Sequence, residues 1–380
     1  MSKLDDYRAE IDNIDKQLTE LFEKRMDVVL KVAQYKKDNN VSVLQNSREE
    51  EVLNKAVNNL KNKEYTKEIR EFLNATMEIS RGYQHRKIEN ANNIDTLDFD
   101  NEDINYTAKV GYQGVNGSFS EEALLNFFGE DSSVTSYKYF EDVFKAIKSG
   151  EIEYGVLPIE NSSTGAIAEI YDLIRKYGFY IVGEQCVKVN QHLLGIKGTK
   201  IEDIKEVYSH PQGFKQSSEY LNKNSEWKLI PHSNTATSAK LVSDLGDKSK
   251  VAIASSRAAK FYGLEILEEC INNTKDNYTR FVVISKKMIV NKDADKVSVV
   301  FSLEHKVGTL YNLLRYFAEN NINMVKIESR PMKETSWRYF LYVDFQGKVN
   351  SNETKKALSY IEKESAYFKV LGAYKNKLDL

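Results

Sequence analysis

Four clusters in the middle of the chain hold residue types suited to gripping a small anion and moving a proton. Gly114, Gly117, Ser118, Phe119 and Ser120 precede a helical stretch, and backbone N–H groups at a helix start can hold an anion. A tight turn selects glycine equally well. The run Pro158-Ile159-Glu160-Asn161-Ser162-Ser163-Thr164-Gly165 brings a carboxylate, an amide and hydroxyls to the opening of a helix, where Ser163 or Thr164 could equally serve as a cap. Ser209-His210-Pro211-Gln212-Gly213-Phe214 occupies a strand-to-helix turn, with Gln216 just beyond it. Asn277-Tyr278-Thr279-Arg280-Phe281 enters an apolar strand, and its guanidinium suits a forked grip on a carboxylate. Glu160 becomes competent as an acid if a dry cleft raises its pKa. The turn at Gly114 lacks the glycine spacing and the downstream acid of a dinucleotide fingerprint.

A fifth feature lies near the start of the chain. Leu4, Tyr7, Ile11, Ile14, Leu18, Leu21, Arg25, Val28, Val32 and Tyr35 recur at spacings of three and four, the seam of one long helix. Arg25 is out of place there, because an unpaired buried charge is costly. Its partner is Glu23, Asp27, a residue of another helix, or an anionic ligand. Lys36 falls close to the same face and ~16 Å along the helix; Arg8 is turned by about 100° and ~25 Å away. Arg8 therefore cannot easily serve the same ligand from the same helix. A second, antiparallel copy of the helix could supply it, and the seam invites that pairing.

The elements that must carry these residues fall into three segments. The first, residues 1–90, is all helix and has no proline. Its second helix begins at Ser47, where Ser47 and Glu50 form a capping-box pattern, and buries Val52, Leu53, Ala56, Val57 and Leu60. Its third covers Tyr65 to Lys87, with Ile69, Phe72, Leu73, Thr76, Ile79, Ser80 and Tyr83 facing inward. An acidic, Asn-rich linker at 91–106 offers little to bury. From 107 to 288, short apolar runs such as Tyr154–Ile159, Val251–Ala254 and Phe281–Ile284 alternate with helical stretches, which predicts an α/β domain with a largely parallel sheet. Residues 293–380 read β-α-β-β-α-β, the ferredoxin-like α+β order.

Composition narrows the chemistry. In 380 residues, 54 Lys+Arg nearly cancel 56 Asp+Glu, so no global field attracts nucleic acid or an anionic membrane. The stretch from Met1 to Arg8 is charged at once, so no signal peptide is expected, and no apolar run approaches the ~20 residues of a membrane span. Cys186 and Cys270 could form one disulfide, but such sparse use fits a reducing cytosol better. The scattered histidines lack metal-ligand spacing. A cytoplasmic enzyme without metal or cofactor is expected.

Each segment resembles a known family. Arg8, Arg25, Lys36, Arg48, Glu49, Ser80 and Gln84 fall where the all-helical chorismate mutases place their site residues, and length and layout match over residues 1 to 90. The resemblance implies three helices interlocked as a dimer, with one arginine crossing from the partner. Chorismate rearranges to prephenate in one pericyclic step, so the site needs only to hold the folded dianion and stabilise charge on the ether oxygen. Arg8 and Arg25 would bind carboxylates with Arg48 nearby, Ser80 would contact a carboxylate, Lys36 and Gln84 would donate to the ether oxygen, and Glu49 would accept from the ring hydroxyl. Gln45 stands where this family often has an acid, and carries no assigned role.

The four central clusters, with His192-Leu193-Leu194 and Asn234-Thr235-Ala236, resemble prephenate dehydratases over residues 108 to 285. That implies a two-lobed fold like the periplasmic binding proteins, with substrate between the lobes, and loss of carbon dioxide and water from prephenate to give phenylpyruvate. Thr279 would assist departure of the hydroxyl, Arg280 would grip a carboxylate, and Ser118, Glu160, Asn161, Ser162, Ser209 and Gln216 would orient substrate or relay protons. Whether Thr279 or Glu160 is the acid does not follow from sequence. The last segment resembles an ACT domain: Gly308-Thr309-Leu310 and Glu328-Ser329-Arg330-Pro331 match its effector motifs, although Thr309 replaces the usual alanine. The three together resemble bifunctional chorismate mutase/prephenate dehydratases, implying inhibition by phenylalanine and a homo-oligomer of at least two chains. Two other readings stay open: a dehydratase whose helical segment is only a dimerisation arm, and a non-catalytic amino-acid-sensing module.

Overall fold

The computed structural model describes residues 3–38, 46–89, 101–332 and 337–377. The chain divides into two compact units, Met1–Thr96 and Leu97–Leu380. The first holds helices α1 (Lys3–Asp38), α2 (Asn46–Asn59) and α3 (Thr66–Glu89). At 1.5 Å per residue, α1 is about 54 Å long. Its seam is bare: Ile11 is 56% exposed and Val28 57%. Cover begins at Arg25, Met26, Val29 and Leu30, and among the described residues of the unit the buried ones are Leu53, Thr76, Met77 and Ser80. Phe72 and Ile79, expected to face inward, are largely exposed. The two other helices of the unit leave the apolar face of the 36-residue α1 uncovered over most of its length. α2 starts one residue before the expected Ser47, whose side chain lies outside the described residues, as does Gln45.

The second unit opens with residues expected to be linker. Ile104 is buried in a core with Val110, Leu124 and Phe281, and Tyr106 stacks on Phe127 at 6.1 Å, so the linker ends earlier than its composition suggested. The rest of the expected linker, residues 91–100, lies outside the described residues. One lobe follows: β1 (Lys109–Gln113), α4 (Phe119–Phe128), β2 (Ser133–Tyr137), α5 (Phe140–Ser149), β3 (Tyr154–Asn161), β4 (Gly165–Ala166), α6 (Ala168–Tyr177) and β5 (Tyr180–Lys188). The chain then crosses to a second lobe: β6 (His192–Gly195), β7 (Glu206–Ser209), α7 (Pro211–Gln216), α8 (Ser218–Asn222), β8 (Lys228–Pro231), α9 (Thr235–Leu245), β9 (Lys250–Ala254), α10 (Ser256–Tyr262) and β10 (Glu265–Glu268). It returns to the first lobe as β11 (Tyr278–Ser285).

The first sheet runs β2-β1-β3-β11-β5 with β4 on β3; the second runs β10-β6-β9-β7-β8. The expectation of a largely parallel sheet is corrected. β1 pairs in parallel with β2 and β3, as β7 does with β8 and β9, whereas β11 runs antiparallel to β3 and β5 and β6 runs antiparallel to β9 and β10. The reversed strands, β6 and β11, are the first after each crossing. The crossings are lashed together: Val189 N–H donates to Asn277 O at 2.7 Å and Ile271 N–H to Gln191 O at 2.8 Å. Asn272 spans both, accepting from Gln191 N–H and donating to Val189 O.

The last third contains β12 (Lys296–Leu303), α11 (Thr309–Glu319), β13 (Met324–Pro331), β14 (Tyr339–Gln346), α12 (Asn352–Glu364) and β15 (Ser365–Tyr374), in an antiparallel sheet ordered β13-β14-β12-β15. Val297, Val299 and Phe345 pack beneath α11 and α12. The other face, with Val300, Tyr342 and Leu371, shares a core with α5 and α6 of the first lobe. At Gly372 the two sheets come so close that a Cβ would collide with the carbonyl of Ile181. Among the described residues both cysteines are free, no helix is long and apolar enough to cross a membrane, and no group of three or more His, Cys, Asp or Glu is placed to hold a metal.

Candidate active sites

In the helical unit, Arg25 of α1 meets Ser80 of α3. The guanidinium donates to the Ser80 hydroxyl, which passes its own hydrogen to the carbonyl of Thr76 at 2.7 Å. Burial pulls the Arg25 pKa down, the mark of a cation partly removed from water. Arg48 is turned to solvent and pairs with Glu51 at 2.7 Å. Glu49 is half-buried at the start of α2. Arg8 is exposed, seventeen positions before Arg25 on the same helix, hence ~25 Å from it. Lys36 and Gln84 belong to α1 and α3, but their side chains lie outside the described residues.

The second unit builds a denser cluster. β3 and β11 pair so that Asn161 stands opposite Thr279 and Glu160 opposite Arg280. Successive side chains of a strand point to opposite faces, so the four residues split into two pairs. On one face, Asn161 Oδ1 accepts from the backbone N–H of Ser163 (3.0 Å) and Thr164 (3.1 Å), and from the Ser163 hydroxyl at 2.7 Å. Backbone N–H groups can only donate, which fixes the orientation of the amide. Its Nδ2 therefore donates, to Thr279 Oγ1 at 2.9 Å and Asn277 Oδ1 at 2.9 Å. Thr279 Oγ1 accepts, and among the described residues nothing takes its hydrogen. Across the gap between lobes, Gln216 Nε2 reaches Ser163 Oγ at 3.4 Å and Gln216 Oε1 accepts from Gln191 at 3.3 Å.

On the other face, Arg280 is 4% exposed and makes ion pairs with Asp344 (2.7 Å), Glu184 (3.4 Å) and Glu160 (3.5 Å). Lys296 pairs with Glu184 at 2.9 Å and Lys326 with Glu160 at 2.6 Å. Three cations thus meet three carboxylates, and the charges cancel. Burial pushes the Asp344 carboxyl up, but Arg280 and Lys296 outweigh it and hold its pKa below the usual range. Burial pulls Lys326 down against the opposing pull of Glu160. Arg280 and Glu160 thus face the C-terminal sheet with their charges already matched, on the side opposite Asn161 and Thr279.

Other expected ligands are occupied locally. Ser118 caps α4, and the N–H of Gly117 donates to Glu121 at 2.7 Å, so the chain's own carboxylate fills the turn proposed for an anion. Gly117 has φ +82° and packs on Ala258, which excludes a side chain. The Ser209 hydroxyl is fully buried and donates to Ile253 O at 3.0 Å. Ser162 accepts from Tyr278 N–H at 2.9 Å, stapling β3 to the approach of β11. His210 and Asn234 cap α7 and α9.

In the C-terminal segment, Gly308 adopts φ +86° at the start of α11 and Leu310 is partly exposed beside it. The Thr309 hydroxyl donates back to the preceding loop at 3.1 Å. Glu328, Ser329 and Arg330 lie on edge strand β13; Arg330 approaches Asp172 of α6 at 3.8 Å. Lys326, on the same face of that strand, holds Glu160.

The sequence reading named Asn277 in its fourth cluster without giving it a role, and missed Gln191, Glu184, Lys296, Lys326 and Asp344 altogether. The signal was present: Glu184 and Asp344 interrupt apolar strands, as Arg25 interrupts its seam, and Lys296 opens one.

Two family models match the chain, chorismate mutase type II over residues 7–85 and prephenate dehydratase over 110–289. A bifunctional chorismate mutase/prephenate dehydratase of Buchnera aphidicola is 31% identical over 97% of this chain and 95% of its own length. One from Aquifex aeolicus is 30% identical over 100% of this chain and 99% of its own. The crystal structure of a prephenate dehydratase from Arthrobacter aurescens in complex with L-Phe superposes with a TM-score of 0.65 at 28% identity, covering 70% of this chain and 90% of that one.

Proposed function

The chain belongs to the bifunctional chorismate mutase/prephenate dehydratase family, and from that premise we propose how its residues divide the work. It isomerises chorismate to prephenate and converts prephenate to phenylpyruvate, consecutive steps of phenylalanine biosynthesis. Residues 1–90 take the first step, 107–288 the second, and 293–380, an ACT domain of ferredoxin-like fold, senses phenylalanine. The setting is the cytoplasm.

For the mutase, Arg25 with Ser80 holds one carboxylate of chorismate, Lys36 and Gln84 stabilise the ether oxygen, Glu49 takes the ring hydroxyl, and Arg48 stands nearby. No bond to the protein forms; the gain is a fixed reactive conformer and matched charge. Arg8 comes from a second copy of the chain. Support for that dimer is the bare apolar seam of α1 together with the ~25 Å that separates Arg8 from Arg25.

For the dehydratase, Thr279 is the donor. The ring C–O bond breaks with its electron pair on oxygen, which leaves as water after taking a proton. The bond to the ring carboxylate breaks with its pair entering the ring, which becomes aromatic as carbon dioxide departs. The observation that carries this reading is the 2.9 Å hydrogen bond from Asn161 to Thr279 Oγ1: an oxygen that already accepts turns its own hydrogen toward the leaving hydroxyl. Glu160, paired with Lys326 on the opposite face, is not the acid. Asn161 and Gln216 orient the substrate, with Ser118, Ser162 and Ser209 holding the turns around them. Replacing Thr279 by valine, which keeps its shape and removes the hydroxyl, tests this. Dehydration of supplied prephenate should stop in a folded chain.

Phenylalanine binds at Gly308, Leu310, Glu328, Ser329 and Arg330 and inhibits by preferring one arrangement of the second unit. Strand β13 carries both the effector motif and Lys326, whose partner Glu160 adjoins Asn161, so a shift of that strand reaches the dehydratase cluster in two residues.

A further inference from the structure

Gln191 sits in the first crossing between lobes, 2% exposed, and the dehydration as derived gives it no task. Its backbone is held from both sides, by Asn272 Oδ1 at 2.7 Å and by Ile271 N–H at 2.8 Å. Its side chain ends a chain of hydrogen bonds whose direction can be worked out atom by atom. Ser163 and Thr164 donate backbone N–H groups to Asn161 Oδ1, so that oxygen is an acceptor. The Ser163 hydroxyl spends its one hydrogen on the same oxygen at 2.7 Å, so towards Gln216 it can only accept. Gln216 must therefore present Nε2 to Ser163 and Oε1 to Gln191, and Gln191 must present Nε2 in return. Gln191 Oε1 is left buried with no partner among the described residues. Turning the Gln191 amide over would set two carbonyl oxygens against each other. An orphaned buried acceptor is costly, and a fold keeps one where it serves a purpose.

We propose that Gln191 is a positioning residue of the dehydratase, fixing the amide of Gln216 so that the Nε2 hydrogen not given to Ser163 faces the gap between the lobes, where it can meet a carboxylate of the substrate. The inference rests on the dehydratase reading above. Without the Gln191 donor, only the long 3.4 Å contact with Ser163 holds the Gln216 amide, too weak to keep it from turning and offering the substrate carboxylate an oxygen instead of a hydrogen. The effect falls on binding, because a carboxylate is held alike in ground and transition states.

The test is prephenate kinetics on the full chain with Gln191→Met and Gln191→Glu, each alone and combined with Gln216→Ala, with melting temperatures as a check on folding. Gln191→Met should raise KM by about fivefold or more and leave kcat within about threefold. Gln191→Glu keeps the shape, but its carboxylate only accepts, so KM should rise at least as far. In the Gln216→Ala background neither substitution should change KM further. The proposal is overturned if Gln216→Ala raises KM while both Gln191 variants stay within about twofold of the native value, or if the Gln191 effect persists at full size without Gln216. If Gln216→Ala itself leaves KM unchanged, the site reading fails, and this inference with it.

Discussion

The helical unit and the rest of the chain treat apolar surface in opposite ways. Along α1, residues such as Tyr7, Ile11, Leu18 and Val32 face outward, whereas in the second unit each sheet face meets a helix or another sheet, leaving Val156, Val283 and Val300 fully buried. The site residues follow the same division. Asn161, Thr279, Gln216 and Gln191 are joined within one chain, while Arg8 and Arg25 are too far apart on one helix to share a ligand. One chain builds a dehydratase cluster; the proposed mutase site needs two.

The largest effects would break that contrast outright. Thr279→Val should lower kcat for prephenate by at least about a thousandfold and leave chorismate isomerisation within about twofold, measured separately on each substrate. Arg25→Ala should do the reverse, costing the mutase about a hundredfold or more in kcat/KM while prephenate dehydration is kept. Mixing sharpens the point. Arg8→Ala and Arg25→Ala chains, each nearly inactive as mutases, should recover up to about a quarter of native mutase activity when unfolded together and refolded, because half of the random dimers carry one intact site. No recovery would place both arginines in the same chain's site. Diluting the native chain should lower specific mutase activity before dehydratase activity.

The smallest predicted effect concerns the two faces of β3 and β11. Lys326→Met, which unpairs Glu160, should keep dehydratase kcat within about threefold but weaken inhibition by phenylalanine by about fivefold or more. Full retention of inhibition would separate the buried ion pairs from regulation.

Much of this was legible in the sequence. The seam of α1, the odd Arg25 within it, and the clusters around Asn161 and Thr279 are local patterns set by helix and strand periods. Which face Glu160 and Arg280 take was not, because it depends on β11 inserting between β3 and β5 across more than a hundred residues of chain. The same insertion makes the first sheet mixed rather than largely parallel, as β6 does the second. Nor could the cancelling of three buried cations by three carboxylates be read from spacing, since the six come from strands far apart in the chain. Their presence inside apolar strands could have been read, and it marks the contact between the first lobe and the C-terminal sheet.

The most direct test of two separate sites is product analysis after giving the Thr279→Val chain chorismate alone at neutral pH. Prephenate accumulating at the native rate, with no phenylpyruvate, is the predicted result. Phenylpyruvate formed at the native rate would remove Thr279 from the chemistry, and a folded chain that leaves chorismate untouched would show that the two activities do not reside in separate sites.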